Sequence, residues 1–167
     1  MGRYCFALIV LLIATPALAQ EPVGCDKFKW PLDKERATLN GTDLPKVISG
    51  DLVAWPIPWA TTVALVPFAD AKLPVAPERA PKSPDTYAGF VRVSALRKPA
   101  TYRITLSQGA WIDVVQDGHE AKSTAFTGAR GCEGVRKSVK FELAAAPFII
   151  EISGTTTPAI AIVVAPD

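Results

Sequence analysis

Apolar residues recur at every second position through the C-terminal part of the chain, and this period constrains the fold more than any other feature. Tyr102, Ile104 and Leu106, for example, would lie on one face of a strand, with polar residues between them. A period of two is that of a half-buried β-strand, because successive side chains of a strand point to opposite faces. Alternating segments recur from about residue 89 onward, separated by turn signals such as Asp117-Gly118, which favours a tight hairpin. The pattern predicts an all-β fold, an antiparallel β-sandwich or jelly roll of about seven or eight strands.

The same alternation selects the residues that face the core. A turn is predicted at Ser153-Gly154, before a closing strand over residues 159–164. Fifteen prolines argue against a bundle of long helices, because proline breaks a helix interior. The predicted core consists of Ile104, Leu106, Ile112, Val114, Val139, Phe141, Phe148 or Ile149, Ile150, Ile160 and Ile162.

Composition divides the chain into a signal peptide (residues 1–19), an N-terminal arm with a short helix (20–60) and a sandwich domain (61–167). The sandwich domain begins with a strand near its first residues and continues into a proline-rich, irregular connection over residues 67–88. In the arm, the helix is predicted over 32–39, since proline precedes it and Asn-Gly follows. This organisation indicates one folded domain with an arm attached to it.

Residues 1–19 have the form of a secretory signal. Arg3 supplies the positive start, Phe6–Ile13 is apolar, and Ala17-Leu18-Ala19 fits a signal-peptidase site, which predicts cleavage before Gln20. The apolar run is too short to span a bilayer, which takes about 20 residues. We therefore expect export to the periplasm or the medium, with no membrane span.

Two cysteines remain after this cleavage, Cys25 and Cys132, because Cys5 is removed with the signal. An even count in an oxidising compartment is most simply explained by one disulfide. The alternative is two free thiols, one of them reactive. A disulfide would fix the arm to the sandwich.

The charge balance excludes some classes of protein. Eighteen basic residues face sixteen acidic ones, a formal net charge of +2. A dedicated nucleic-acid surface would be strongly basic and would interleave cations with exposed aromatic residues, and neither pattern is present. We therefore expect no nucleic acid among the partners.

Four titratable residues crowd one predicted hairpin: Asp113, Asp117, His119 and Glu120. They suit metal ligation or acid–base chemistry, but transition-metal sites commonly use several histidines and this chain has one. The alternative is a solvated turn. The sequence contains neither a Gly-x-Ser-x-Gly elbow nor a nucleotide-binding loop, so no catalytic residue, metal site or cofactor is predicted.

A glycine-rich segment, Thr127–Lys137, surrounds Cys132 with cations. Glycine-rich backbone together with Arg130, Arg136 and Lys137 would suit an anion such as phosphate, sulfate or the carboxylate of an acidic sugar. The alternative is a loop held by the disulfide with its charges in water. The four tryptophans could add a platform for a sugar, although tryptophan is more often buried; they are Trp30, Trp55, Trp59 and Trp111.

Five segments carry a resemblance to a known family: residues 30–36, 102–106, 110–115, 132–139 and 148–152. Together they resemble an uncharacterised family of short secreted alphaproteobacterial proteins. Some members carry a homogentisate 1,2-dioxygenase label, which implies iron held by two histidines and a glutamate; His119 alone cannot complete that set in one chain. The last 75 or so residues also resemble pre-peptidase C-terminal jelly-roll domains.

Together these features predict a secreted or periplasmic, non-catalytic binding or accessory protein. Its ligand site is expected near Arg130, Arg136, Lys137, Asp113 and His119, for an anionic small molecule, a glycan or an envelope component. The alternatives are a small secreted enzyme, with the iron dioxygenase as the one named activity, and a structural envelope protein.

Overall fold

The alternating segments form strands, which assemble into two six-stranded sheets packed as a β-sandwich. The computed structural model describes residues 21–54 and 56–167. The predicted signal peptide, its cleavage site before Gln20 and Trp55 lie outside the described residues. The strands are β1 (Lys46–Ile48), β2 (Leu52–Val53), β3 (Trp59–Ala64), β4 (Val66–Pro67), β5 (Tyr87–Val93), β6 (Ala100–Leu106), β7 (Trp111–Gln116), β8 (His119–Glu120), β9 (Ser123–Gly128), β10 (Lys137–Leu143), β11 (Phe148–Thr155) and β12 (Ala159–Pro166).

The sheets are mixed rather than purely antiparallel. Sheet 1 has the order β1-β3-β12-β6-β10-β9, and sheet 2 has the order β2-β5-β11-β7-β8 with β4 also paired to β5. Strands β1 and β2 run parallel to β3 and β5, and the other pairings are antiparallel. The sandwich prediction is confirmed, but the strand count is higher than predicted. Four of the strands (β1, β2, β4 and β8) have only two or three residues, which is too short for alternation to show in the sequence.

The predicted core is confirmed. Every residue proposed for it is buried, and of the pair Phe148 or Ile149 it is Phe148 that faces the core, while Ile149 is half-buried. Phe141, on β10, and Ile150, on β11, are among the largest fully buried side chains, and both belong to one cluster shared by the two sheets. The inner faces therefore follow the period-two pattern.

The turn predicted at Ser153-Gly154 is wrong. Strand β11 continues to Thr155, and its register with β5 shifts between Ile152 and Thr155. Gly154 has a φ of 73°, a left-handed conformation that glycine adopts without strain. The glycine therefore accommodates an irregularity inside the strand, as in a β-bulge, and the chain turns after Thr155.

The first half of the predicted arm, residues 21–40, packs on the outer face of sheet 1 and is called the arm below, whereas residues further along join the two sheets as β1 and β2. Its predicted helix is present as α1 (Asp33–Leu39), which follows a 3₁₀ turn at Cys25–Lys27. A disulfide joins Cys25 to Cys132, with their Cα atoms 4.8 Å apart, and confirms the predicted pairing. No helix in residues 21–54 or 56–167 is long and apolar enough to cross a membrane. The apolar residues that fix the arm to the sheet are Leu32, Leu39, Cys132, Val135 and Val163.

A proline-rich segment crosses the outer face of sheet 2. After a 3₁₀ turn at Phe68–Asp70 the chain has no regular structure until β5, and we call residues 71–82 the strap. Prolines at 74, 77 and 81 explain this irregularity, because proline lacks the N–H that a strand ladder uses. The strap contacts side chains of β7 and β11 that point away from the core. It therefore covers polar groups that would otherwise face water.

Candidate functional site

Trp111 is the centre of the site because two cations lie over its ring. It begins β7 on the outer face of sheet 2 and is half-buried. The guanidinium carbon of Arg79, from the strap, is 4.6 Å from the ring centroid, and the Lys137 Nζ is 4.5 Å from it. Both distances are within the range of cation–π attraction. The indole N–H of Trp111 donates to an Asp113 carboxylate oxygen at 2.7 Å, which fixes the ring.

Lys137 joins this ring to the glycine-rich segment. It opens β10, and its ammonium donates to the carbonyl oxygen of Ala110 at 3.2 Å. Burial lowers the pKa of Lys137, and the nearby charges of Arg79 and Arg136 lower it further, whereas Asp113 raises it. An anion bound here would therefore interact with an ammonium that water solvates poorly.

Arg136 and Arg130 share one carboxylate, that of Glu21. Arg136 forms a hydrogen-bonded ion pair with Glu21, and the Arg130 Nε lies 3.7 Å from the same oxygen. The hydrogen bond from Arg136 is the main reason that the pKa of Glu21 is lowered. We call Arg79, Arg130, Arg136 and Lys137, with Trp111, the cationic surface.

Beside this surface, Asp113 and Glu151 form a buried carboxylate pair. They are register partners on β7 and β11, and only 6% and 1% of their surfaces are exposed. The backbone N–H of Val75 donates to a Glu151 oxygen at 2.9 Å, and the Glu78 N–H faces Asp113. Burial is the main cause of the raised pKa of both carboxyl groups.

His119 lies elsewhere. The hairpin turn predicted at Asp117-Gly118 is present, with positive φ at both residues, and His119 is exposed just after it. It pairs with Gln116, five residues along β7 from Trp111, or about 17 Å at about 3.4 Å per residue. Within the described ranges, no three His, Cys, Asp or Glu side chains come together in a way that could hold a metal ion.

The tryptophans do not form a common platform in the part of the chain that the structure describes. Trp59 is in the core and Trp111 lies over sheet 2. Trp30 packs against the arm's cluster on sheet 1, with the Lys140 Nζ 4.6 Å from its ring centroid. It lines a groove of about 500 Å³ beside the disulfide, whose rim carries charges of both signs. Among these three residues, the convergence of two cations distinguishes Trp111.

Of the predicted site residues, the structure brings Asp113 and Lys137 to Trp111 and joins Arg130 to Arg136 through Glu21. Three participants were not predicted: Glu21, Arg79 and Glu151. Arg79 and Glu21 belong to segments without periodicity, so nothing in the sequence indicates what they contact. Glu151 does have a signal, because it is a lone charge in the apolar run of residues 148–152.

Comparisons with protein-family models, with curated proteins and with solved structures found no match to this chain. The resemblance to the short secreted proteins therefore stays a prediction.

Proposed function

We propose that the protein is an exported, non-catalytic binding or accessory protein whose cationic surface recognises the carboxylate, sulfate or phosphate groups of an acidic glycan. The observation that carries this proposal is the convergence of Arg79 and Lys137 on Trp111, each less than 5 Å from the ring centroid. The ring holds these two cations in place, and from there they can offer charge-assisted hydrogen bonds to a carboxylate, sulfate or phosphate.

The charge balance of the surface supports an anionic ligand. Arg130 and Arg136 both depend on Glu21, whose side chain is 43% exposed. Exposed ion pairs contribute only about 0–1 kcal/mol, so a ligand anion can replace this carboxylate at little cost. Lys137 lies between these arginines and Trp111, and its ammonium gains more from an anion because it is partly desolvated.

Export is the second element of the proposal. The disulfide between Cys25 and Cys132 suits an oxidising compartment, where such bonds persist. The signal-like residues 1–19 support the same location, the periplasm or the medium. Intact mass of the protein recovered from the periplasm or medium tests this element: a chain beginning at Gln20 supports it, and a chain retaining residues 1–19 contradicts it.

Binding is tested by titrating the purified protein with oligogalacturonate and, as the neutral counterpart, malto-oligosaccharides of equal length. We expect calorimetry to show binding of the acidic series only, weakening as salt rises. Lys137→Gln should lower the affinity about tenfold or more. Arg97→Gln is the matched control, because Arg97 is an exposed cation just before β6, at the end of that strand far from Lys137.

Two results would contradict the proposal. One is equal affinity for the acidic and neutral series. The other is an affinity that falls as much in Arg97→Gln as in Lys137→Gln, since that would reflect net charge rather than a site. Sulfated and phosphorylated oligosaccharides extend the series and identify which anion the surface prefers.

A further inference from the structure

The strap covers polar groups that a surface strand would normally leave in water. Asp113, Glu151 and Ser153 point away from the core, yet at most 6% of any of them is exposed. Carboxylates are rarely buried to this degree unless a cation or several hydrogen-bond donors accompany them. Here two carboxyl groups are buried beside each other.

The environment of this pair favours one shared proton. Facing residues on neighbouring strands have Cβ atoms about 4.5–5.5 Å apart, so two negative charges at 113 and 151 repel each other strongly. Glu151 receives the Val75 N–H on one oxygen, and its other oxygen has no hydrogen-bond partner among the described residues. A proton on that oxygen, or on Asp113, would remove one charge and supply a donor.

Charged groups reach the pair from each element packed against it. Glu120 on β8 and Glu78 on the strap add negative charge near Asp113, and Glu120 also acts on Glu151. The compensating groups near Asp113 are the Trp111 indole N–H, the Glu78 backbone N–H and, from β10, Lys137. Within residues 21–54 and 56–167, the one hydrogen bond to the Glu151 carboxyl group comes from the Val75 N–H. Positive charge is therefore scarce where the strap is held.

We propose that a proton shared between Asp113 and Glu151 keeps the strap closed, and that loss of this proton to solvent releases the strap and withdraws Arg79 from Trp111. Because Arg79 belongs to the strap, closure completes the cationic surface. For the ligand, an inference that rests on the proposed function, binding should be accompanied by proton uptake and should weaken as pH rises.

The direction of the pH effect follows from the linkage between proton binding and strap closure. Burial raises the pKa of both carboxyl groups in the closed state, so the closed state holds the proton more tightly than an open, hydrated one. Closure is therefore fully favoured below the ordinary carboxyl range and is lost as pH rises through the raised pKa.

Hydrogen exchange of the strap tests this without any ligand. At pH 7.5, peptides covering residues 71–82 should exchange several-fold more slowly in Glu151→Gln than in the wild type. Glutamine removes the charge, keeps an oxygen for the Val75 N–H and adds a donor for Asp113. Asp113→Asn should act in the same direction, and Glu142→Gln, an exposed carboxylate on β10, should change nothing.

The pH dependence of the wild-type protein provides a second test. Its strap protection, corrected for intrinsic exchange rates, should fall as pH rises from 4 to 8, and Glu151→Gln should abolish this dependence. Equal exchange in wild type and Glu151→Gln at pH 7.5, with unchanged melting temperature, would overturn the proposal. So would a pH-independent wild-type strap, a result that does not depend on whether either variant folds. Neither exchange experiment contains ligand. A negative exchange result therefore leaves the glycan titrations unaffected, and a negative titration leaves the strap result standing.

Discussion

The outer faces of the two sheets are covered in different ways. On sheet 1 the arm is attached through the Cys25–Cys132 disulfide and through apolar residues such as Leu39, and its buried Glu35 lies 2.7 Å from the Arg103 guanidinium. On sheet 2 the strap rests on the carboxylates of Asp113 and Glu151, neither of which forms an ion pair within the described ranges. The disulfide and the apolar contacts of the arm do not titrate, whereas the strap rests on groups that bind protons.

The largest effect should come from removing the covalent attachment on sheet 1. Replacing both Cys25 and Cys132 by serine removes a cross-link between residues 107 apart, which the chain-entropy model values at about 4–5 kcal/mol. Urea unfolding followed by circular dichroism should show this loss of the free energy of unfolding. A loss below about 1 kcal/mol would mean that apolar packing holds the arm, and the contrast between the two faces would be weaker than we describe.

The next largest effect is the difference between a glutamate-to-glutamine substitution under the arm and one under the strap. Glu35→Gln removes the charge of a buried carboxylate that lies 2.7 Å from the half-buried Arg103 guanidinium, and loss of a buried polar partner costs about 1–3 kcal/mol. Glu151→Gln, by contrast, should leave the free energy of unfolding unchanged or raise it at pH 7.5, because it removes repulsion rather than attraction. Parallel urea titrations of the two variants measure the difference. Equal destabilisation by both would show that Glu151 has a compensating cation after all.

A smaller effect should appear in the pH dependence. Since the pKa of Asp113 and that of Glu151 are raised in the fold, these groups contribute stability below their ordinary range and lose it as pH rises through the raised pKa. The wild type should therefore lose stability relative to Glu151→Gln as pH increases from 4 to 8. Melting temperatures measured across this range test the sign, and a gap that narrows with rising pH would reverse the assignment.

The smallest effect is expected on the exposed part of the arm. Asp26 and Lys27 form an ion pair with both side chains in water, and such pairs contribute little. Asp26→Asn should therefore leave the melting temperature unchanged. Any substantial drop would mean that charges around the disulfide contribute to holding the arm, in addition to the bond itself.

Much of the fold could be predicted because the period of two is a direct consequence of strand geometry. It predicted the buried faces of β6, β7 and β10 correctly. Strands β1 and β2 were not predicted, because two or three residues are too few to show a period. The turn predicted at Ser153-Gly154 was wrong because a glycine with positive φ occurs in β-bulges as well as in turns.

The site was less predictable, because its partners come from segments without a pattern. Arg130, Arg136 and Lys137 were identified from composition, but their counter-ion Glu21 lies more than a hundred residues away. The burial of Asp113 depends on the path of the strap, which no local signal specifies. Among these residues, Glu151 alone has a sequence signal of an unusual environment, because it is a charge within an apolar strand.

The position of β12 has a consequence for how the chain acquires its structure. Residues 159–166 lie in the middle of sheet 1, between β3 and β6, so they join a strand that precedes them by about a hundred residues to one that precedes them by about sixty. Loop closure over such distances is slow, and contacts of this range place a domain among the slower folders. Sheet 1 cannot be completed until Pro166 has left the ribosome, so the sandwich should close only after β12 has been synthesised. A polypeptide that folds this late remains able to thread through a translocation channel.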